Sequence, residues 1–176
     1  MSRINDLLTN LFVLQNNLTR QFALNENLQL VHLHIIQYLA KCNKYSDTTQ
    51  AISAYLGQTK SSISQSLSIL EKSNIVERKV DSLDKRIFHL SLTKNGKNIQ
   101  NKLENLLKDE ISEETILILE DMLKIIQKKN NIKSFGVCSS CKFHLRFEKN
   151  TFRCGLLNEV LLQKDISKIC KEHTYS

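Results

Sequence analysis

Two sets of side chains in this 176-residue sequence have the types and spacing to do chemistry. The first is a cluster of cysteines near the end: Cys138-x2-Cys141, then Cys154, then Cys170. A Cys-x2-Cys turn lets two thiolates converge on one ion while its backbone N–H groups donate to the sulfurs. Four thiolates complete a tetrahedral Zn²⁺ site, the reading taken first here; an iron–sulfur cluster takes the same four ligands, and metal-free thiols form a reversible disulfide. The second pair is split, unlike that of a standard zinc ribbon, so His144 and His173 stand as reserve ligands. Cys42, alone at the end of a helix, reads as a small buried apolar residue.

The second set lies in TKSSISQSLSILEKSN, residues 59–74. Ile63, Leu67 and Leu70 recur at i, i+4 and i+7 and must pack inward on one helix face. The opposite face carries Lys60, Ser61, Ser62, Ser64, Gln65, Ser68 and Lys72, with Thr59 as the N-cap. A solvated face normally alternates Glu with Lys. Short hydroxyls, an amide and lysine are instead the groups that reach phosphates and base edges, with Gln65 the candidate for adenine.

The elements around that helix must present it. DTTQAISAYLG before it is a short helix with Ile52 and Leu56 inward and Gly57 at the C-cap. Helix, tight glycine turn and second helix make a helix-turn-helix, whose second helix enters the major groove. After it, IVERKV and RIFHLSLT are β-rich runs separated by Asp81, Ser82, Leu83, Asp84 and Lys85, a hairpin signal. A basic hairpin after a recognition helix is a wing, with Arg78, Lys79 and Lys85 suited to phosphate.

At these residues the sequence resembles the MarR family of bacterial transcription regulators. The likeness rests on Leu56-Gly57, Leu70-Glu71, Ile75-Val76-Glu77-Arg78, Asp84-Lys85-Arg86 and Leu90-Ser91-Leu92-Thr93 with Gly96. It covers residues 46–96 in motifs and about residues 1–130 in layout. It implies that Arg86 enters the minor groove with Asp84 orienting it. It also implies a homodimer whose terminal helices interleave, so that two recognition helices address a pseudo-palindromic site in double-stranded DNA. The arginine-poor recognition helix and the cysteine-rich tail depart from the family pattern.

Composition agrees with a mainly α (α+β) chain: four glycines and no proline favour long helices over a sandwich or barrel. A net charge of +7 suits an anionic partner. No apolar run approaches the ~20 residues of a membrane span, and the N-terminus lacks the features of a secretion signal, so the cytoplasm is the expected compartment. Thiols stay reduced there, which favours metal or redox chemistry over structural disulfides.

Residues 3–22 carry Ile4, Leu7, Leu8, Leu11, Leu14, Leu18 and Phe22 at helical intervals. Residues 26–41 use Leu28, Val31, Ile35 and Leu39, with His32 and His34 at the edge of a core or interface. Beyond the wing come Ile99, Leu103, Leu106 and Leu107, then a helix capped by Ser112 with Ile116, Leu119, Leu123 and Ile126. These helices hold more apolar surface than one subunit can hide, which predicts a dimer interface over 1–22 and 97–129. Residues 1–134 are thus expected as a winged-helix and dimerisation domain and 135–176 as a metal-binding tail containing a β-hairpin.

No glycine-rich phosphate loop, His-Glu-x-x-His or Gly-x-Ser-x-Gly occurs, so catalysis is not expected. The expected activity is sequence-specific repression, answering to a metal, a redox state or a small ligand that the sequence does not name. A second reading is a metal-stabilised protein-interaction adaptor that no longer reads DNA.

Overall fold

The computed structural model describes residues 3–82, 84–105, 111–148 and 151–175. Its helices are α1 (Arg3–Asn25), α2 (Leu30–Lys41), α3 (Thr49–Leu56), α4 (Lys60–Lys72), α5 (Lys94–Glu104) and α6 (Glu113–Lys129). Strands β1 (Val76–Val80) and β2 (Phe88–Leu92) form one antiparallel sheet. Strands β3 (His144–Glu148), β4 (Thr151–Cys154) and β5 (Glu159–Leu161) form another.

The core is built by the middle of the chain. Leu33, Ile35, Ile36, Ile52, Ile63, Leu67 and Leu70 are wholly buried, and Val76, Leu90, Leu92, Ile99 and Leu103 close the cluster from the sheet and α5, with Ile75 just before β1. Each such burial contributes about 1.5–3 kcal/mol. Gly96 sits where α5 passes the Ile75 carbonyl; a Cβ there would collide with that oxygen.

The second helix starts later than the apolar run suggests. Asn27 takes φ 55° and the Leu28 N–H bonds back to Ala23 O, which ends α1 at Asn25 and moves the start of α2 to Leu30. Burial on α2 is also broader than the expected stripe: His32, Leu33, Ile36 and Tyr38 are buried, while Val31 is only half-buried. His32 Nδ1 accepts the Gln29 N–H at 3.2 Å, an N-terminal staple inside the core.

The arms behave differently. No residue of α6 is buried, and Ile116, Leu119, Leu123 and Ile126 lie open. On α1, Leu7, Leu11, Phe12 and Leu14 are equally open. Ser112 caps α6 through the Thr115 N–H at 3.3 Å. Leu106 and Leu107 lie outside the described residues.

The tail contains a third strand, β5, where only a hairpin was expected. It is also docked. Ile169 packs on the main core, its N–H bonds Lys41 O at 2.8 Å, and its carbonyl takes the Asn43 N–H at 2.9 Å. The Lys171 N–H donates to Ser46 Oγ at 2.9 Å. Lys44 pairs with Glu159 at 3.3 Å, and the Tyr45 hydroxyl donates to the same carboxylate. At the far end Tyr175 donates to Gln127 of α6 at 2.9 Å. Among the described residues no helix is long and apolar enough to cross a membrane.

Candidate nucleic-acid interface

The turn before α4 is made by Gly57 in the left-handed region at φ 64°, where its N–H caps Ser53 O. A side chain at that φ would be strained, which suits glycine. Thr48 caps α3 through the Ala51 N–H, and Thr59 caps α4 through the Ser62 N–H, both at 3.3 Å. Two capped helices and a fixed turn hold α4 at a set angle.

Its outer face carries the expected groups. Lys60, Ser61, Ser62, Ser64, Gln65 and Ser68 are all exposed. Part of the hydroxyl set is already engaged: Ser68 donates to Ser64 O at 3.0 Å, and Ser61 shares a bond with Thr59 at 3.0 Å. Hydroxyls that donate along their own helix still offer lone pairs outward. Among the described residues, the Gln65 amide and the Lys60 ammonium have no partner.

The wing pairs Val76 with Leu92 through to Val80 with Phe88. At its tip Asp84 grips Arg86 with two bonds, Oδ1 to Nε at 3.0 Å and Oδ2 to Nη2 at 2.8 Å, and Asp84 also accepts the Arg86 N–H at 3.0 Å. These bonds hold the Asp84 carboxyl below its usual range. The Arg86 side chain nevertheless remains 91% exposed. A fork held at one edge and open at the other is ready for a second anionic or groove partner.

Two basic residues expected at phosphate are tied down. Arg78 pairs with Glu71 at 2.8 Å and lies over the Phe88 ring at 5.4 Å, locking the wing to the end of α4. Lys79 pairs with Glu77 at 3.2 Å, a weak exposed contact. Lys85 is exposed.

His89 is the residue that sequence reasoning passed over. Its Nδ1 meets Asp47 at 2.7 Å and its Nε2 meets Asp81 at 3.0 Å. The Leu90 N–H bonds Asp47 O at 2.9 Å, so β2 also joins the segment between α2 and α3. The bonds to Asp47 and then Asp81 raise the imidazole above its ordinary value, while burial opposes them. One imidazole thus fastens the wing to the base of the helix-turn-helix. Nothing in local spacing marks it, since Asp47 lies 42 residues away.

The four tail cysteines open onto a cleft of about 720 Å³ that also touches Lys60, Ser64 and Arg86. Cys138 and Cys141 are buried, Cys154 and Cys170 half-buried, and all are free thiols. The knuckle is closed by the Cys141 N–H to Cys138 O at 3.1 Å. Burial, then Cys154, Cys141 and Cys170, push the Cys138 thiol up to about 11. Among the described residues, no three His, Cys, Asp or Glu side chains stand arranged to hold a metal ion. The two reserve histidines separate. His173 is engaged at both nitrogens, by Ser134 at 2.6 Å and Ser140 at 3.0 Å. His144, paired across the sheet with Cys154, stands 3.7 Å from the Cys138 sulfur. Cys42 lies in the main core, where burial pushes its thiol up to about 12.

Residues 26–87 match the model of the MarR family. No curated protein matches the chain. Among solved structures, the chain is similar to CouR of Rhodococcus jostii RHA1 bound to p-coumaroyl-CoA, at TM-score 0.57 and 16% identity, over 71% of this chain and 92% of that one. It is similar to MepR of S. aureus in its DNA complex, at 0.54 and 20%, over 73% and 99%. FabT of Streptococcus pneumoniae in complex with DNA follows at 0.51 and 26%, over 73% and 96%. The fold is the MarR-like winged helix.

Proposed function

We propose that this chain is a DNA-binding transcription regulator that reads double-stranded DNA through α4 and the wing and has no catalytic role. The Asp84–Arg86 fork on an exposed wing tip carries the reading. An arginine braced on one edge reaches a narrow minor groove without losing its orientation. Beside it, α4 offers Lys60, Ser61, Ser62, Ser64 and Gln65 to the major groove, Thr59 and Ser68 flank them, and Lys85 is left for phosphate. The match of residues 26–87 to the MarR model and the DNA-bound states of MepR and FabT support this reading.

The working unit is a homodimer. The open apolar faces of α1 and α6 find their complement in a second copy, which sets the two recognition helices about 34 Å apart, one turn of DNA. Occupation of a pseudo-palindromic promoter site then blocks transcription, and a ligand or metal state that favours another spacing releases it.

Arg86→Ala tests the reading. The variant keeps its fold, because the side chain is almost wholly exposed, and loses binding strongly in anisotropy titrations at moderate salt. Wild-type affinity in that variant contradicts the assignment.

A further inference from the structure

The tail has little core of its own. Its buried cluster is Cys138, Phe152 and Leu161, with Cys154 and Ile166 against it, while Phe147, Leu157, Val160 and Leu162 lie open. So small a cluster does not offset the ordering of about forty residues. Two of the five members are thiols, and no disulfide links them. Some other staple is needed.

The four cysteines come from three segments and line one cleft. Cys138 and Cys141 come from the knuckle, Cys154 from the end of β4, and Cys170 from the docked segment around Ile169. The Cys170 N–H bonds Gly136 O at 3.1 Å, which lays that segment beside the knuckle. His173 cannot compete, since both of its nitrogens are engaged. His144 Nδ1, beside the Cys138 sulfur, stands where a metal site places a donor to its ligand.

We propose that Cys138, Cys141, Cys154 and Cys170 bind one Zn²⁺ as four thiolates, and that this ion staples the tail to the reading head. The four side chains are not drawn into a ligand group as they stand; the site requires them to turn inward to the ~2.3 Å of zinc–thiolate bonds, each thiol releasing its proton to solvent. Three ligands belong to the tail's own fold. The fourth, Cys170, sits between Ile169 and Lys171, whose backbones are bonded to Lys41, Asn43 and Ser46 at the end of α2. The next residue there, Asp47, holds His89 and through it the wing. Zinc therefore fixes the segment on which the wing is hung. This second clause rests on the DNA-binding reading; the metal site does not.

The test uses the full chain, purified under reducing, oxygen-free conditions. Elemental analysis should give one zinc per chain, and titration of stripped protein with cobalt chloride should give the visible bands of a tetrahedral thiolate complex. Cys138→Ser and Cys141→Ser should lose the metal, and Cys42→Ser should keep it. Because the cobalt spectrum is read on wild-type protein, it stands even if a variant tail fails to fold. No metal and no cobalt spectrum overturn the site. A brown protein with iron and sulfide overturns zinc in favour of a cluster. Retention of metal by Cys138→Ser overturns the ligand set. Stripping zinc should also weaken DNA binding by about 5-fold or more. Unchanged affinity overturns the coupling, and metal content remains readable even if the chain binds no DNA.

Discussion

The head and the arms of this molecule use the same aliphatic residues to opposite ends. In the head, Ile63, Leu67 and Leu70 of α4 meet Leu33, Ile36 and Ile52 of α2 and α3, and none touches water. In α6, Leu117, Ile118 and Ile125 are more than half exposed among the described residues. Both regions carry apolar periodicity, so the pattern alone does not say who the partner is. A narrow stripe with polar flanks, as on α4, is satisfied by neighbours in the same subunit. Apolar residues spread around a long helix, as on α1 and α6, stay open among the described residues, and they are the faces assigned to the proposed dimer.

The largest effect that would sharpen this contrast comes from a pair of changes, one in the core and one on an arm. Leu67→Ala should cost about 2–5 kcal/mol, and that loss should be the same at every protein concentration in urea melts. Leu123→Asp should instead shift the molecule to monomers in sedimentation, with wild-type helix content at high concentration. If Leu123→Asp leaves a dimer, the arm assignment is broken.

Next comes base reading. Gln65→Ala should cost about 1–3 kcal/mol at one base-pair position and relax preference there. An equal loss on cognate and random DNA would remove Gln65 from the reading set.

Smaller again is the pH response of the head. His89 is raised above its ordinary 6.5 by Asp47 and Asp81, so its stabilisation is complete below about pH 6.5 and fades as pH climbs through the raised folded value. Urea midpoints should fall from pH 6 to pH 9 by more in wild type than in His89→Gln. Equal slopes would mean that the imidazole does not hold the wing. The smallest change is Lys79→Ala, within about 0.5 kcal/mol of wild type.

What the sequence made legible follows the range of the interactions. Thr59, Ser112 and Gly57 act within four residues of themselves, and their roles as caps could be read directly. Ile63, Leu67 and Leu70 lie on one helix, where period alone places them. The start of α2 is hidden in the sequence because Leu28 continues the apolar run, while the break is made by Asn27 in a left-handed conformation. β5 is hidden because its three residues carry no period. The pairing of Arg78 with Glu71 is not legible because it depends on how β1 leaves α4. The bridge from Asp47 through His89 to Asp81 and the docking of Ile169 are contacts between distant segments, which spacing cannot encode. That the segment carrying Cys170 is bonded to the residues at the end of α2 could not be read from the spacing of the cysteines.

That joining has a consequence for how the chain becomes folded. The partners of Ile169 and Lys171 are residues 41–46, made more than a hundred positions earlier. Contacts of such separation pay their loop-closure entropy last. On the ribosome the head is complete while the chain beyond α6 is still being made, and the backbone groups of Lys41 and Asn43 wait in water. The tail is then the final piece to close. In pulsed hydrogen exchange the Asn43 and Ile169 amides should gain protection together, after Leu67 and Leu70.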